Sequence, residues 1–116
     1  ATSMPTATKI FTEWETGEET GTEHAKLYNV VLLDDDEHTY DYVIEMLMRL
    51  FSLSEARALR HTVEVDTLGR TIVLTGEIEE ATVAREMIHG YGADPRMAIS
   101  KGSMTAVVEP ATNGAE

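Results

Sequence analysis

The sequence predicts an α/β (α+β) fold with the element order β-α-α-β-α-β, a compact sandwich in which a small three-stranded sheet carries its helices packed on one face. Three observations lead there. The run Leu27-Tyr28-Asn29-Val30-Val31-Leu32-Leu33 is nearly continuous in apolar and β-branched residues, as a covered central strand is. Three stretches after it repeat apolar residues at intervals of three and four, each behind a capping or acidic residue. Two further short β-rich runs are bounded by glycine turns. Few strands with several helices are most economically packed as one sheet with helices against it.

The elements follow in order. After the first strand comes the acidic turn Asp34-Asp35-Asp36-Glu37-His38. Thr39 is then a suitable N-cap, and Asp41 in the first turn answers the positive end of a helix. Val43, Leu47, Leu50 and Phe51, with Tyr40 and Met46 beside them, give that helix a broad apolar face to about Phe51. Ser54 caps a second helix with Glu55 in its first turn. Ala56, Leu59 and Val63 share one of its faces, and it is expected to fade near Val65-Asp66-Thr67 before a turn at Gly69. Thr71-Ile72-Val73-Leu74 reads as the second strand. Glu77, Glu79 and Glu80 open a third helix, with Ile78, Ala81, Ala84, Ile88 and Tyr91 as its buried stripe. Gly90, Gly92 and Pro95 end it. Met97-Ala98-Ile99 reads as a short extended segment, Lys101-Gly102-Ser103 as a turn, and Met104 to Glu109 as the last strand.

Residues 1–26 read as a flexible acidic N-terminal extension whose bulky apolar residues are chiefly Ile10, Phe11 and Trp14. Residues 27–109 make the core domain, and 110–116, with nothing to bury, a disordered C-terminal tail. The 116 residues carry 21 acidic against 9 basic side chains, a net charge of -12, which repels phosphate backbones and anionic membranes. Neither nucleic acid nor membrane is an expected partner. A free amine, a cationic segment or a divalent metal suits the charge better. With no cysteine, disulfides, thiolate nucleophiles and Cys-ligated metals are excluded. No apolar run approaches a membrane span, and Ala1-Thr2-Ser3-Met4-Pro5 lacks the pattern of a signal peptide, so a cytoplasmic setting is expected.

Four carboxylates and an imidazole on five consecutive residues, 34 to 38, repel one another and contribute no core packing. Held between a strand and a helix, they suit recognition of a cation or amine. A calcium loop starting at Asp34 fails because Thr39 stands where glycine is required, although Glu45 falls at the twelfth position. The four histidines, His24, His38, His61 and His89, form no zinc-binding pair at helical spacing. Ser52, His61 and Asp66 supply the members of a hydrolytic triad only on paper, since such triads are defined by geometry. The methionines at 46, 48, 87, 97 and 104 read as core filler, with Met46 and Met48 also placed to line an adaptable apolar pocket.

Tyr28-x-Val30-Val31-Leu32-Leu33-Asp34-Asp35-Asp36, then Tyr42-Val43-Ile44-Glu45-Met46-Leu47 ending in Leu50-Phe51, then Glu55-Ala56 and Val63-Glu64-Val65 leading to Gly69-Arg70, resemble the ClpS family. The likeness spans about residues 27–89 and returns weakly at Val107-Val108-Glu109. These are adaptors that bring substrates bearing N-terminal degrons to an AAA+ protease, with a small β-α-α-β-α-β sandwich as their fold. The resemblance implies a shallow pocket for a bulky apolar N-terminal side chain beside polar groups that hold the free α-amino group. The family's Asn-Asp-Asp turn falls on Asp34-Asp35-Asp36, keeping the amine-binding carboxylate as Asp35. The His that helps hold the amine becomes Asp66, so Asp34, Asp35 and Asp66 are the implied amine ligands. Leu33, Asp36, His38, Tyr40, Val43, Thr62 and Val65 are the implied side-chain pocket, with Tyr40 and Thr62 in place of family methionines. Those two exchanges imply a stiffer, more polar cavity and an altered side-chain preference.

The docking patch of the family's third helix falls on Glu80, Ala81 and Thr82, of which only Glu80 keeps the pattern. The chain is about two residues short near Leu74-Thr75 and carries an insertion around Gly92 to Gly102. Its acidic first 26 residues resemble the mobile extension that such adaptors use in substrate delivery. The implied partners are the N-terminal domain of a Clp-type AAA+ unfoldase and substrates with a free N-terminus. The protein itself is expected to be a monomer without enzymatic activity, catalytic residues, metal or other cofactor. Two alternatives use the same residues: a divalent-metal-binding or metal-dependent enzyme domain built on the turn 34–38, with Asp34, Asp36 and Asp66 or His38 as ligands, and an interaction module of the same fold that has lost degron binding.

Overall fold

The computed structural model describes residues 26–111, so most of the expected extension 1–26 and tail 110–116 lies outside the described residues; Pro110, however, ends the last strand and the Ala111 N–H donates to the Leu27 carbonyl, so the tail begins later than expected. The elements are β1 (Tyr28–Leu33), α1 (Tyr40–Phe51), α2 (Glu55–Leu68), β2 (Arg70–Gly76), α3 (Ile78–His89) and β3 (Ala106–Pro110). The most apolar strand, β1, is central, and the sheet order is β2-β1-β3 with both pairings antiparallel. This is the expected β-α-α-β-α-β order and sheet.

Val30 and Leu32 point from β1 into the core, where Tyr42, Val43, Met46 and Leu47 of α1, Ala58 of α2 and Ala81, Ala84 and Ile88 of α3 meet them. Alternation along a strand sends Val31 to the opposite face, yet it too is wholly buried. There it is flanked by Ile72 and Val107, its partners in β2 and β3. The Arg70–Glu109 ion pair also joins the two edge strands across β1. A bulge in the β1–β2 pairing between Val30 and Val31 adds Val73 as an extra residue. The bulge lets Val73 and Leu74 both serve the helical side.

Local chemistry sets the helix ends. Thr39 caps α1 by accepting from the Tyr42 N–H, and Ser54 caps α2 by accepting from the Arg57 N–H. Gly69 ends α2 at φ 86°, a left-handed conformation that suits glycine. This cap carries α2 to Leu68, slightly past the expected fade.

Three expectations need correction. Ala56, Leu59 and Val63 do share a face of α2, but it is exposed; the inward face is Ala58, Thr62 and Val65. Ile78 lies two residues beyond the end of β2, at the margin of the sheet, and is 42% exposed, so the buried stripe of α3 begins at Ala81. Met97 to Ile99 are not extended but turn, with the Met97 N–H donating to the Asp94 carbonyl and the Ser100 N–H to the Met97 carbonyl. Among the methionines, 46 and 104 fill the core, whereas Met48 and Met87 are exposed. Among the described residues no helix is long and apolar enough to cross a membrane.

Candidate functional site

The acidic turn is held at both shoulders by backbone. The Leu33 N–H donates to the Thr105 carbonyl, and the Asp34 N–H donates to the Gly69 carbonyl, each at 3.0 Å. The second bond ties the end of β1 to the α2–β2 junction and brings Asp34 close to Asp66, three residues before Gly69. The Asp34 carboxyl is pushed above the usual carboxylate range, first by loss of solvent around it and then by the charges of Asp66, Asp35 and Asp36; a hydrogen bond from the Asp35 backbone opposes this. Of the three implied amine ligands, Asp34 at the strand end is thus the neighbour both of Asp66 at the helix end and of Asp35 in the turn.

Asp35 also shapes the turn. Its Oδ1 accepts from the Glu37 N–H at 2.8 Å and from His38 Nδ1 at 2.7 Å. The other imidazole nitrogen, Nε2, lies 2.7 Å from the Gly102 carbonyl. Both partners are acceptors only, so both contacts are satisfied when the ring carries two protons. The His38 side chain is 2% exposed and packs against Tyr42 at a ring separation of 4.5 Å. His38 therefore clamps the loop 92–103 to the turn with both of its ring nitrogens, which leaves neither for a ligand.

Asp94, a loop residue with no motif around it, anchors the other side. It is 1% exposed, and each carboxylate oxygen accepts two hydrogen bonds. Oδ2 takes the Thr39 N–H and hydroxyl at 2.7 and 2.8 Å, and Oδ1 takes the Arg96 N–H and Nη1 at 2.9 and 3.1 Å. Burial alone would raise its pKa, but these four donors outweigh it and bring the carboxyl down to about 2. The Tyr42 hydroxyl donates to the Gly92 carbonyl at 2.5 Å, and Arg96 reaches Glu45 at 2.8 Å. The segment around Gly92 to Gly102 is in this way fastened to the first turns of α1.

Across from the turn, the Tyr40 hydroxyl donates to Asp66 Oδ2 at 2.6 Å, joining the first turn of α1 to the last turn of α2. One helical turn inward lie Val43, Thr62 and Val65, exposed by only 4, 1 and 2%. The Thr62 hydroxyl turns back on its own helix and donates to the Ala58 carbonyl at 2.7 Å. The Tyr40 and Thr62 hydroxyls, from which a more polar cavity was expected, thus both have partners within the protein. Leu33 is half-buried at the strand end, while Asp36 faces solvent.

The alternative chemistries find less support in the geometry. His61 does not face Ser52 and Asp66: its Nδ1 lies 2.8 Å from the Thr71 hydroxyl, which in turn donates to Glu64. Burial pulls the His61 pKa down. Among the described residues, no three His, Asp or Glu side chains are gathered as ligands for a metal.

The family model described as "ATP-dependent Clp protease adaptor protein ClpS" matches residues 23–96. The chain belongs to the ClpS family. A ClpS adapter protein of Nautilia profundicola is 42% identical over 64 residues, which are 55% of this chain and 66% of that protein. The human E3 ubiquitin-protein ligase UBR1 is 36% identical over 64 residues, 55% of this chain but 4% of the ligase. The chain thus spans just under two thirds of the bacterial adapter and a small part of the ligase. The structure of Agrobacterium tumefaciens ClpS2 bound to L-phenylalaninamide matches with a TM-score of 0.66 and 25% identity, over 76% of this chain and all of that one.

Placed on this ClpS fold, the docking residues need correction. Glu80, Ala81 and Thr82 are consecutive on α3 and cannot face one partner together. Ala81 is wholly buried in the core, so it offers no surface. Glu80 leans over Gly76, where an added Cβ would lie 2.1 Å from its Oε1. The surface α3 does offer is an apolar groove shared with the end of α1, lined by Leu50, Phe51, Glu79, Val83 and Met87 among others.

Proposed function

We propose that the protein is a non-enzymatic adaptor that binds the free N-terminus of substrate proteins and hands them to a Clp-type AAA+ protease in the cytoplasm. The nearness of Asp34 to Asp66, with Asp35 next in the turn and Val43, Thr62 and Val65 on the helices behind, carries this reading. A cation-binding rim next to an apolar wall matches an N-terminal residue, which presents an ammonium and a side chain on adjacent atoms. Asp34 and Asp66 receive the ammonium through charge-assisted hydrogen bonds, and Asp35, one oxygen of which holds the turn, adds charge and its second oxygen.

Because the Thr62 hydroxyl is already bonded to its own helix, the wall offers the ligand apolar groups, with the Tyr40 ring at its side. The favoured N-terminal residue is therefore bulky and apolar, such as Phe or Leu. The phenylalaninamide bound by the Agrobacterium relative, an aromatic side chain with a free α-amine, supports the same class of ligand. For the unfoldase, the groove between α1 and α3 with Glu79 and Glu80 on its rim replaces the three consecutive residues as the docking surface.

Isothermal titration with peptides beginning in Leu, Phe, Tyr, Trp and Arg, free and N-acetylated, tests the reading. Free Phe and Leu peptides are expected to bind and their acetylated forms to lose at least tenfold. Equal binding of both forms, or none of either, refutes it.

A further inference from the structure

Two of this chain's departures from the family pattern, Tyr40 for Met and Asp66 for His, are partners of each other. The Tyr40 hydroxyl reaches Asp66 Oδ2 at 2.6 Å from the opposite helix, although 26 residues separate them in sequence. Tyr40 is 45% exposed, so burial does not force its ring into place. What holds it is a hydrogen bond to an ionised acceptor, shorter and stronger than one between neutral groups. Behind it, Val43, Thr62 and Val65 are almost closed to solvent. An exposed tyrosine whose only hydroxyl partner in the described structure is the carboxylate needed by the ligand is placed to compete with that ligand.

We propose that Tyr40 and Asp66 form a latch: the phenol closes the mouth of the pocket by occupying Asp66, and an incoming α-ammonium displaces it. This inference rests on the N-terminus-binding function proposed above and names the residues that set its affinity. With the latch closed, the carboxylate is satisfied. An ammonium offers Asp66 a full positive charge and so replaces the phenol at a gain, swinging the Tyr40 ring off the wall to lie beside the ligand's side chain. Every ligand carries the cost of opening, so observed affinity is the intrinsic affinity reduced by the open fraction. Tyr40 is on this account a specificity-determining residue whose hydroxyl weakens binding, while its ring helps to enclose the bound side chain. The mutual repulsion of Asp34, Asp35, Asp36 and Asp66 in the empty site is eased in the same way, since the phenol supplies Asp66 with a donor until a cation arrives.

Tyr40→Phe keeps the ring and removes the latch. For a free N-terminal Phe peptide it is expected to bind about 3- to 10-fold more tightly than the parent, the size of releasing one exposed hydrogen bond to a charged group. Asp66→Ala in the same assay should weaken binding, and adding Tyr40→Phe to it should bring no further gain, because the phenol's partner is already gone. A label-free signal accompanies this. The 13Cζ resonance of Tyr40 at neutral pH should move on peptide addition toward its position in Asp66→Ala, which a merely structural tyrosine would not do. If the parent binds the peptide and Tyr40→Phe binds equally or more weakly, the latch is wrong while the adaptor reading stands. If neither protein binds any free-N-terminus peptide, both are overturned.

Discussion

Replacing Asp94 with Asn tests how the loop 92–103 builds the site. The wild-type carboxylate fills all four of its hydrogen-bonding positions, two donors on each oxygen, in a place 1% exposed. An asparagine keeps one oxygen and turns an NH2 group against two donors, whichever way it faces. The Arg96 side chain is 35% exposed, so its ion pair is screened and contributes little. The weight falls on the Thr39 N–H and hydroxyl, which would be left facing either a donor or a weaker neutral acceptor. A folded pKa of about 2 against the ordinary carboxyl value of 3.8 corresponds to roughly 2 kcal/mol of stability at neutral pH. Adding the misplaced NH2 group gives a loss of about 3 kcal/mol. For a domain of this size that is a fall in Tm of roughly 12–24 °C.

The sign with pH is fixed by the depressed pKa. The stabilisation is fully present above the unfolded value and disappears as pH falls from about 4 to about 2. Thermal and urea unfolding of parent and Asp94→Asn at pH 7, 4 and 2.5 should show a wide gap that narrows on acidification, because a protonated Asp94 resembles the variant. Parallel stability curves, or a Tm within 2 °C of the parent at pH 7, would refute the anchoring role. Because Thr39 both accepts from Tyr42 and donates to Asp94, the variant should also fray the start of α1 and weaken peptide binding.

Asp35→Asn keeps an acceptor for Glu37 and His38 but removes the charge, so binding of a free-N-terminus peptide should weaken by roughly 10- to 100-fold in a titration while Tm changes by a few degrees. Thr62→Val deletes a hydroxyl already satisfied by the Ala58 carbonyl; peptide affinity should stay within about twofold and stability within about 1 kcal/mol, measured by titration and urea unfolding. Gly69→Ala introduces a Cβ that meets nothing within 4 Å, so its cost is that of the backbone at φ +86°, expected at about 1 kcal/mol by urea unfolding.

Local signals made the fold legible in the sequence. Strand β1 announces itself by its apolar run, Thr39 and Ser54 by the capping chemistry before an apolar period, and Gly69 by its place after one. Where a residue's environment depends on distant elements, the reading failed. On α2, Leu59 and Val63 are more apolar than Ala58 and Thr62, yet the small pair is buried because it faces α1 and the sheet closely while the larger pair is left outside. Hydrophobicity alone points to the wrong face there. Met97-Ala98-Ile99 has the composition of a strand, but the bonds from the Met97 N–H to the Asp94 carbonyl and from the Ser100 N–H to the Met97 carbonyl turn the chain there.

The candidate site divides along the same line. Its charge was visible in Asp34, Asp35 and Asp36 because five consecutive polar residues after a strand are a local anomaly. Its architecture was not, since each tie spans the chain: His38 to Gly102, Thr39 to Asp94, Tyr40 to Asp66, Asp34 to Gly69. No spacing rule marks such pairs. A turn with four acidic residues does not hold a fixed shape by itself; it is shaped by donors and acceptors brought from α2 and from the loop after α3. The carboxylates at the rim are therefore preorganised by residues that never touch a ligand, and the apparent insertion at 92–102 is part of what holds them. Loss of Asp94 would keep the charge of the site while freeing Thr39, the residue that joins the turn to α1, from the loop after α3.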